Sequence, residues 1–313
     1  MKYAIGVDLG GTSIKYGLVD QDGKLVYENI MPTGADEGAE AVIKRLILAV
    51  DEMQQHAKRN NILPVGTGVG TPGIVDRTNR IVLGGSDNIV GWSQVHLSER
   101  IEEACQLPVF INNDANLMGL GEQTFGIARD CSDVLFITVG TGIGGAIIIN
   151  GKLFGGYDNR GTEMGHIPLF ADGILCSCGS IGCLEAYAST NALIQQFKDL
   201  SIQSGICFHE KITGKLITNL YCQKHFIAVQ ALNNHCRYLA HGIAGLVNIF
   251  SPQKVVIGGG ISASGTFYIQ NVKKYFDLYV MPDCAVNTQI CSATLGNHAG
   301  VLGAAQWAFI NVQ

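Results

Sequence analysis

Three cysteines stand close together as Cys176-x-Cys178-x4-Cys183, and His166 lies ten residues upstream of the first. Three thiolates and one imidazole satisfy tetrahedral Zn2+, and thiols so closely spaced in a reducing compartment are poor disulfide formers. Gly179 and Gly182 let the chain fold back around so small an ion. Four protein ligands leave no open position, so such an ion would fix a loop rather than activate water. The alternative is a buried cysteine cluster without metal. Cys105, Cys131, Cys207, Cys222, Cys236, Cys284 and Cys291 show no metal-type spacing and read as small buried hydrophobes.

Two glycine turns are the second candidate for chemistry: Asp8-Leu9-Gly10-Gly11-Thr12 and Gly140-Thr141-Gly142-Ile143-Gly144-Gly145. Backbone N–H groups and the hydroxyls of Thr12, Ser13 and Thr141 could cradle phosphate oxygens. Asp8 is placed to hold an accompanying Mg2+ through water, since Mg2+ prefers one or two carboxylates plus solvent and phosphate. Gly140-x-Gly142-x-x-Gly145 and Gly68-x-Gly70-x-x-Gly73 also match the dinucleotide fingerprint in letters. That fingerprint needs a helix after the glycines, whereas a strand follows Gly145 and Ile-Val-Asp follows Gly73. A Walker loop is absent from the sequence. Each glycine turn taken singly could be only a turn; two alike point to a clamped nucleotide. A third candidate is Asp114, at the end of the apolar strand Val109-Phe110-Ile111, where carboxylates face the cleft in α/β folds. Its bland alternative is the N-cap of a helix beginning near Ala115.

The elements that carry these residues repeat. Tyr3–Val7 reads as a strand, Ile14–Val19 as a second and Lys24–Tyr27 as a third. Asp133–Val139, Ala146–Ile149 and 152–154 repeat the pattern, with Asn150-Gly151 as a hairpin signal. Two such units indicate an internal duplication with a glycine turn at the same place in each half. Apolar residues at helical spacing predict helices over Glu37–Arg59 and Cys222–Phe250, the latter stopped by Pro252. The run Lys254–Ile257 predicts a buried strand, and a small-residue helix of tight packing closes the chain over His298–Ile310. Glu37, Glu40, Asp51 and Glu52 read as a solvated helix face. Strand-helix alternation makes the fold α/β. The expected domains are 1–115 with 298–313 and 116–297, a boundary near Asn113–Asn116.

Composition bounds the function. The chain has 313 residues, 47% hydrophobic and only 15% charged, which excludes a disordered chain. Glycine is the outlier, 40 of 313, nearly twice the usual ~7%. The net charge of −5, without a basic stripe, argues against nucleic acid as a partner. The longest uncharged run, Val134–Asn150, lacks the ~20 strongly apolar residues of a membrane span. No targeting signal is visible at the N-terminus, so the expected location is the cytoplasm.

Taken together these motifs resemble the ROK family (repressors, uncharacterised reading frames and sugar kinases) of the actin-like ATPase fold. The resemblance runs essentially the whole length. Asp8–Thr12 is similar to the family's first phosphate motif, with Gly10 and Gly11 in the turn, and Gly140–Gly145 to the second. The segment from Val255 through Gly258, Gly259 and Gly260 to Ser262 is similar to the adenosine motif. Asn112–Asn116, Glu163-Met164-Gly165-His166 and Cys176–Glu185 are similar to the sugar and zinc segments. The resemblance implies two domains with a nucleotide and sugar cleft between them, and an ATP-dependent hexose kinase with Mg2+ and structural Zn2+. It implies Asp114 as the catalytic base, and Asn113, Glu163, His166 and Glu185 as sugar ligands, with Asn88 and Gly73 beside them. His166 would then serve both sugar and zinc.

The resemblance further implies the 6-hydroxyl of an aldohexose as acceptor. Cys183-Leu184-Glu185-Ala186-Tyr187-Ala188-Ser189 is glucokinase-like, while the loop Gly84–Trp92 departs from proline-containing glucokinase versions. N-acetylmannosamine, N-acetylglucosamine, fructose and allose kinases share the quoted motifs. Members are commonly dimers or tetramers, so a homo-oligomer is expected. The family's regulators carry a helix-turn-helix before the first phosphate motif; with Asp8 in the first strand no room for one is expected, which favours the kinase.

Overall fold

The computed structural model describes residues 1–86 and 88–312. Its first strands, β1 (Tyr3–Leu9), β2 (Ser13–Asp20) and β3 (Leu25–Pro32), form an antiparallel meander. Helix α1 (Ala39–Arg59) leads to β4 (Pro64–Thr71), which pairs parallel with β1. A short hairpin, β5 (Ile74–Val75) and β6 (Val82–Gly84), then α2 (Leu97–Cys105), precede β7 (Val109–Asn113), parallel to β4. Helix α3 (Asp114–Thr124) closes this half. The sheet order is β3-β2-β1-β4-β7.

The same order then recurs. Strands β8 (Val134–Val139), β9 (Ile143–Ile149) and β10 (Lys152–Phe154) are followed by a long excursion with α4 (Glu185–Ala188), α5 (Thr190–Gln203) and α6 (Gly214–Cys222). Helix α7 (Phe226–Phe250), strand β11 (Lys254–Gly258), helices α8 (Thr266–Tyr279) and α9 (Pro282–Ala285), strand β12 (Gln289–Ser292) and helix α10 (Ala299–Asn311) complete the chain. This sheet runs β10-β9-β8-β11-β12, with β11 parallel to both β8 and β12. The expected duplication is present, strand for strand. Asn150 and Gly151, at φ 52° and 74°, make the left-handed two-residue turn that the Asn-Gly pair favours.

The chain divides into two compact units. The first is Met1–Ser132, Ala146–Thr162 and Thr294–Gln313; the second is Asp133–Gly145 and Glu163–Ala293. The expected boundary near residue 115 falls inside the first unit, because α3 packs against α10 in that unit. The contact is close enough that a Cβ on Gly303 would lie 1.7 Å from the Leu117 carbonyl oxygen. Helix α10 also rides directly on the sheet, where a Cβ on Gly68 would stand 1.8 Å from the Ala304 oxygen. The expected tight packing of the last helix has this cause.

Other expectations shift in detail. Asp8 belongs to β1, which runs on to Leu9, and β9 begins at Ile143, so the second turn is only Gly140–Gly142. The helix expected from Glu37 starts at Ala39, since Gly38 at φ 84° separates it from a short 3-10 turn. The helix expected over Cys222–Phe250 is α7, which starts at Phe226, since Lys224 at φ 62° separates it from α6 ending at Cys222. Among the seven lone cysteines, Cys105, Cys131 and Cys236 are buried, but Cys207 and Cys222 are exposed and Cys284 and Cys291 half-buried. Glu52 is not a solvated acid: it accepts the Tyr16 and Tyr27 hydroxyls and the Asn29 amide, tying α1 to β2 and β3. Glu37 pairs with Arg45, and Glu40 with Arg100. No helix among the described residues is long and apolar enough to cross a membrane.

Candidate active site

In the first unit, Asp8 lies at the end of β1 directly opposite Lys15 of β2. It is buried, and its Oδ1 has no hydrogen-bond partner. Burial lifts its carboxyl from the ordinary carboxylate range to about 6, against the pull of Lys15. A buried, unsatisfied carboxylate oxygen is what a cation reached through water would satisfy, so the residue fits Mg2+. The turn that follows is closed by Gly10 N–H donating to the Ser13 carbonyl at 3.0 Å. Thr33 pins it from β3's end, its hydroxyl donating to the Gly10 carbonyl at 2.6 Å. Gly11 and Thr12 are exposed at the tip. Thr33 and Lys15 carry no motif of their own and were not legible as parts of this turn.

Asp114 stands at the start of α3, but the cap of that helix is Asn113. The Asn113 side-chain oxygen accepts from Ala115 N–H at 3.0 Å and Asn116 N–H at 3.2 Å. The bland alternative for Asp114 thus passes to its neighbour, although Asp114 Oδ1 also accepts from Ala115 N–H. Asn113 Nδ2 donates to the Gly73 carbonyl at 3.1 Å, which leaves one amide hydrogen for a ligand. Gly73 sits at φ 92°, a conformation that suits glycine. Asn88 is exposed on the loop after β6, with Ile89 and Trp92 buried beyond it in the core.

In the second unit, Gly140 and Thr141 of the second turn and Gly260 after β11 line one cavity of about 510 Å³. Gly140, Thr141, Thr190, Lys215, Asn219 and Gly260 are on its wall. Thr190 N–H donates to the Gly140 carbonyl at 2.9 Å, so the start of α5 anchors the turn. Gly259, at φ 92°, would carry a Cβ 2.2 Å from the Val139 oxygen; glycine alone lets β11 turn there beside β8. Gly258 is buried at the strand end. Helix α6, capped by Thr213, presents Lys215 and its N-terminal dipole to the same cavity, and both favour anionic groups. The start of α6 and Thr190 were missed from sequence, where Thr213-Gly-Lys read only as chain between elements.

The cysteine loop lies in the same unit. His166 Nδ1 is 3.6 Å from Cys176 Sγ, Cys178 Sγ is 3.7 Å from Cys183 Sγ, and all four ligand atoms lie within 4.8 Å of one another. Tetrahedral sulfurs on a zinc ion with bonds of about 2.3 Å stand about 3.8 Å apart, so the four side chains fit a metal of that kind. Hydrogen bonding from Ser180 draws the exposed Cys178 thiol down to about 7, toward the thiolate a metal needs. Gly179 and Gly182 have φ of 87° and 78°, as expected of glycines folding a tight loop. With Nδ1 turned to the cysteines, the histidine keeps Nε2 for a second partner.

Glu163 and Glu185 flank this histidine. His166 N–H donates to the Glu163 carbonyl at 3.0 Å. Burial holds the Glu163 carboxyl above its ordinary range; His166 opposes this and Glu185 adds to it. Glu185 Oε1 accepts the Ser177 hydroxyl at 3.0 Å and Oε2 accepts Ile143 N–H at 2.8 Å. The unit therefore gathers Glu163, His166 and Glu185 beside a metal-type cluster, and a nucleotide-sized cavity beside the second turn.

Two phosphate-type turns on a duplicated β-meander define an ATPase-type α/β scaffold. Residues 4–310 match the ROK family, and the chain belongs to that family and has its actin-like fold. It is similar to a glucokinase of Halalkalibacterium halodurans, 32% identical over 96% of this chain and 93% of the relative. It is similar also to the structure of a ROK family glucokinase from Streptomyces griseus in complex with glucose and AMPPNP. The TM-score there is 0.85 at 33% identity, covering 99% of this chain and 100% of that one. A xylose repressor of Bacillus subtilis is 29% identical over 96% of this chain and 75% of its own length.

Proposed function

We propose that the protein is an ATP-dependent hexose kinase that transfers the γ-phosphoryl group to the 6-hydroxyl of glucose. The observation that carries this reading is the second unit's cavity, which joins Gly140 and Thr141 of the second turn, Gly260 after β11 and a lysine-bearing helix start at one place. The similarity to glucokinases over nearly the whole chain supports glucose as the acceptor.

A sugar hydroxyl is a weak nucleophile at neutral pH, so its attack needs a base at the oxygen and positive charge at the phosphate. Asp114 is the proposed base. It accepts the hydroxyl proton as the new O–P bond forms and the bond to the β-phosphate bridging oxygen breaks, leaving ADP. Asn113 takes the cap of α3, while Asp114 Oδ1 shares the Ala115 N–H. Glu163, His166 through Nε2, and Glu185 are the proposed sugar ligands, with Asn88 and Gly73 beside Asn113. Carboxylates pair bidentately with vicinal hydroxyls, and a missing hydroxyl leaves them unpaired. Asp8 would hold Mg2+ through water, supplying charge neutralisation at the phosphates. Gly10, Gly11 and Thr12, together with Gly140, Thr141 and Gly142, are the proposed phosphate contacts, and Gly258, Gly259 and Gly260 the proposed adenosine contacts. Zn2+ on His166, Cys176, Cys178 and Cys183 would fix the loop between Glu163 and Glu185.

A panel of hexoses and N-acetylhexosamines assayed with Mg-ATP tests the reading. Glucose is expected to give the highest kcat/KM. An N-acetylhexosamine preferred tenfold or more would overturn glucose and leave the kinase standing. The repressor similarity favours one other reading, a sugar-sensing regulator. Sugar binding without transfer to any member of the panel would select it.

A further inference from the structure

The second glycine turn is steadied by a carboxylate from the metal-type loop. Glu185 opens α4 two residues after Cys183, and its Oε2 accepts the Ile143 N–H at 2.8 Å, just past the turn. Its Oε1 accepts the Ser177 hydroxyl at 3.0 Å and stands 3.9 Å from Cys176 Sγ. The carboxylate also lies against the turn itself: a Cβ on Gly142 would be 2.3 Å from Oε2 and 3.1 Å from Cδ. Backbone contacts complete the support, with Thr190 N–H on the Gly140 carbonyl and Gly140 N–H on the Gly142 carbonyl, each at 2.9 Å. Gly142 therefore has a reason to be glycine that is independent of phosphate: it leaves room for Glu185.

We propose that Glu185 is a positioning residue for the nucleotide turn as well as a sugar ligand, so that sugar and nucleotide bind with linked affinities through one side chain. This rests on the reading of Glu185 as a sugar ligand. A carboxylate offers about four lone-pair sites. Ile143, Ser177 and the more distant Cys176 thiol occupy three of them, which leaves capacity for a sugar hydroxyl without releasing the turn. A sugar bound there restrains the carboxylate, and the restrained carboxylate holds Ile143 in place for the nucleotide. Linkage makes the effect reciprocal, so bound nucleotide must raise sugar affinity by the same factor.

Titration calorimetry of the intact protein separates this from two independent sites. AMPPNP is titrated with and without saturating glucose, and glucose with and without AMPPNP. Zinc content and melting temperature serve as fold controls. Wild type should bind AMPPNP more tightly in glucose. Glu185→Ala should weaken AMPPNP in sugar-free protein about tenfold, the loss expected when a buried N–H is left unpaired. Gly142→Ala should weaken glucose severalfold in nucleotide-free protein, because the added Cβ displaces the carboxylate. In both variants the ratio of AMPPNP affinities with and without glucose should fall to one. Should Glu185→Ala fail to fold, Ser177→Ala, on an exposed residue, should halve that ratio or more. The proposal is overturned if Glu185→Ala loses only glucose and Gly142→Ala only AMPPNP, or if Ser177→Ala leaves the ratio unchanged. Wild type binding neither ligand would instead overturn the kinase reading beneath it.

Discussion

The two glycine turns sit on the same duplicated meander yet are built for different work. The first follows a charged position: Asp8, buried and with an unsatisfied oxygen, faces Lys15 across the hairpin. The strand before the second turn ends in Thr138-Val139, and the carboxylate that serves that turn, Glu185, arrives from a distant loop to hold a backbone N–H. A duplicated scaffold fixes where a turn stands, and each copy is then free to differ in charge. One half can carry the metal-facing acid while the other stays neutral and shapes a cavity beside a lysine and a helix start.

The largest effect should come from the first unit, which carries the proposed base. Asp114→Asn should lower kcat by ~10²–10⁴-fold, the usual contribution of a general base, with glucose and AMPPNP affinities nearly unchanged. Near-normal turnover would return Asp114 to a merely structural place at the start of α3.

A second contrast is in titration. The second unit buries His235 completely, its Nε2 2.8 Å from the Tyr268 hydroxyl, and burial pushes its pKa down to about 4. A lowered folded-state pKa gives stability that is present above the unfolded value of about 6.5 and lost as pH falls toward 4. The loss over that window is ~3 kcal/mol at most. Denaturant unfolding at pH 7 and pH 4 should show this fall, and His235→Gln, which does not titrate, should flatten it. An unchanged slope in the variant would place the acid sensitivity elsewhere.

Cys178→Ser should reduce bound zinc from about one per chain and weaken glucose about tenfold or more, in the range seen when support of a metal site is lost. AMPPNP should weaken less, because the nucleotide turn keeps its anchor at Thr190. Full glucose affinity without zinc would show the loop to be self-supporting. The smallest effect sharpens the comparison of the turns: Asp8→Asn should raise the Mg2+ requirement about tenfold, the expected cost of losing the site's proposed carboxylate. Thr138→Val should leave it unchanged. Equal effects would mean that the charge difference between the halves has no function.

What was legible in the sequence follows from what short spacing can encode. The meander strands, the Asn150-Gly151 hairpin, the two turns and the cysteine loop are local, and hydrophobic period and turn residues specify them directly. Supports that come from far along the chain were not legible. Thr33 on the first turn, Thr190 on the second and Lys215 at the cavity are ordinary residues until the fold brings them in, and the bond of Glu185 to the second turn is invisible until then. The cap of α3 shows the same limit on a smaller scale: Asn113 and Asp114 are both good capping residues, and only geometry shows which one caps. The helix expected from Cys222 starts four residues later, at Phe226, because its apolar period continues back across Lys224, whose left-handed backbone separates it from α6. Glu52 was misread because the Tyr16, Tyr27 and Asn29 groups it binds lie on strands far from it in sequence.

The central claim is phosphoryl transfer to the sugar 6-hydroxyl, and phosphorus NMR of the product tests it most directly. Wild-type protein incubated with Mg-ATP and glucose should yield ADP and glucose 6-phosphate in equal amounts, with no sugar phosphate formed by Asp114→Asn on the same time scale. ADP accumulating together with free phosphate and no phosphorylated sugar, across glucose and the other hexoses alike, would contradict the account.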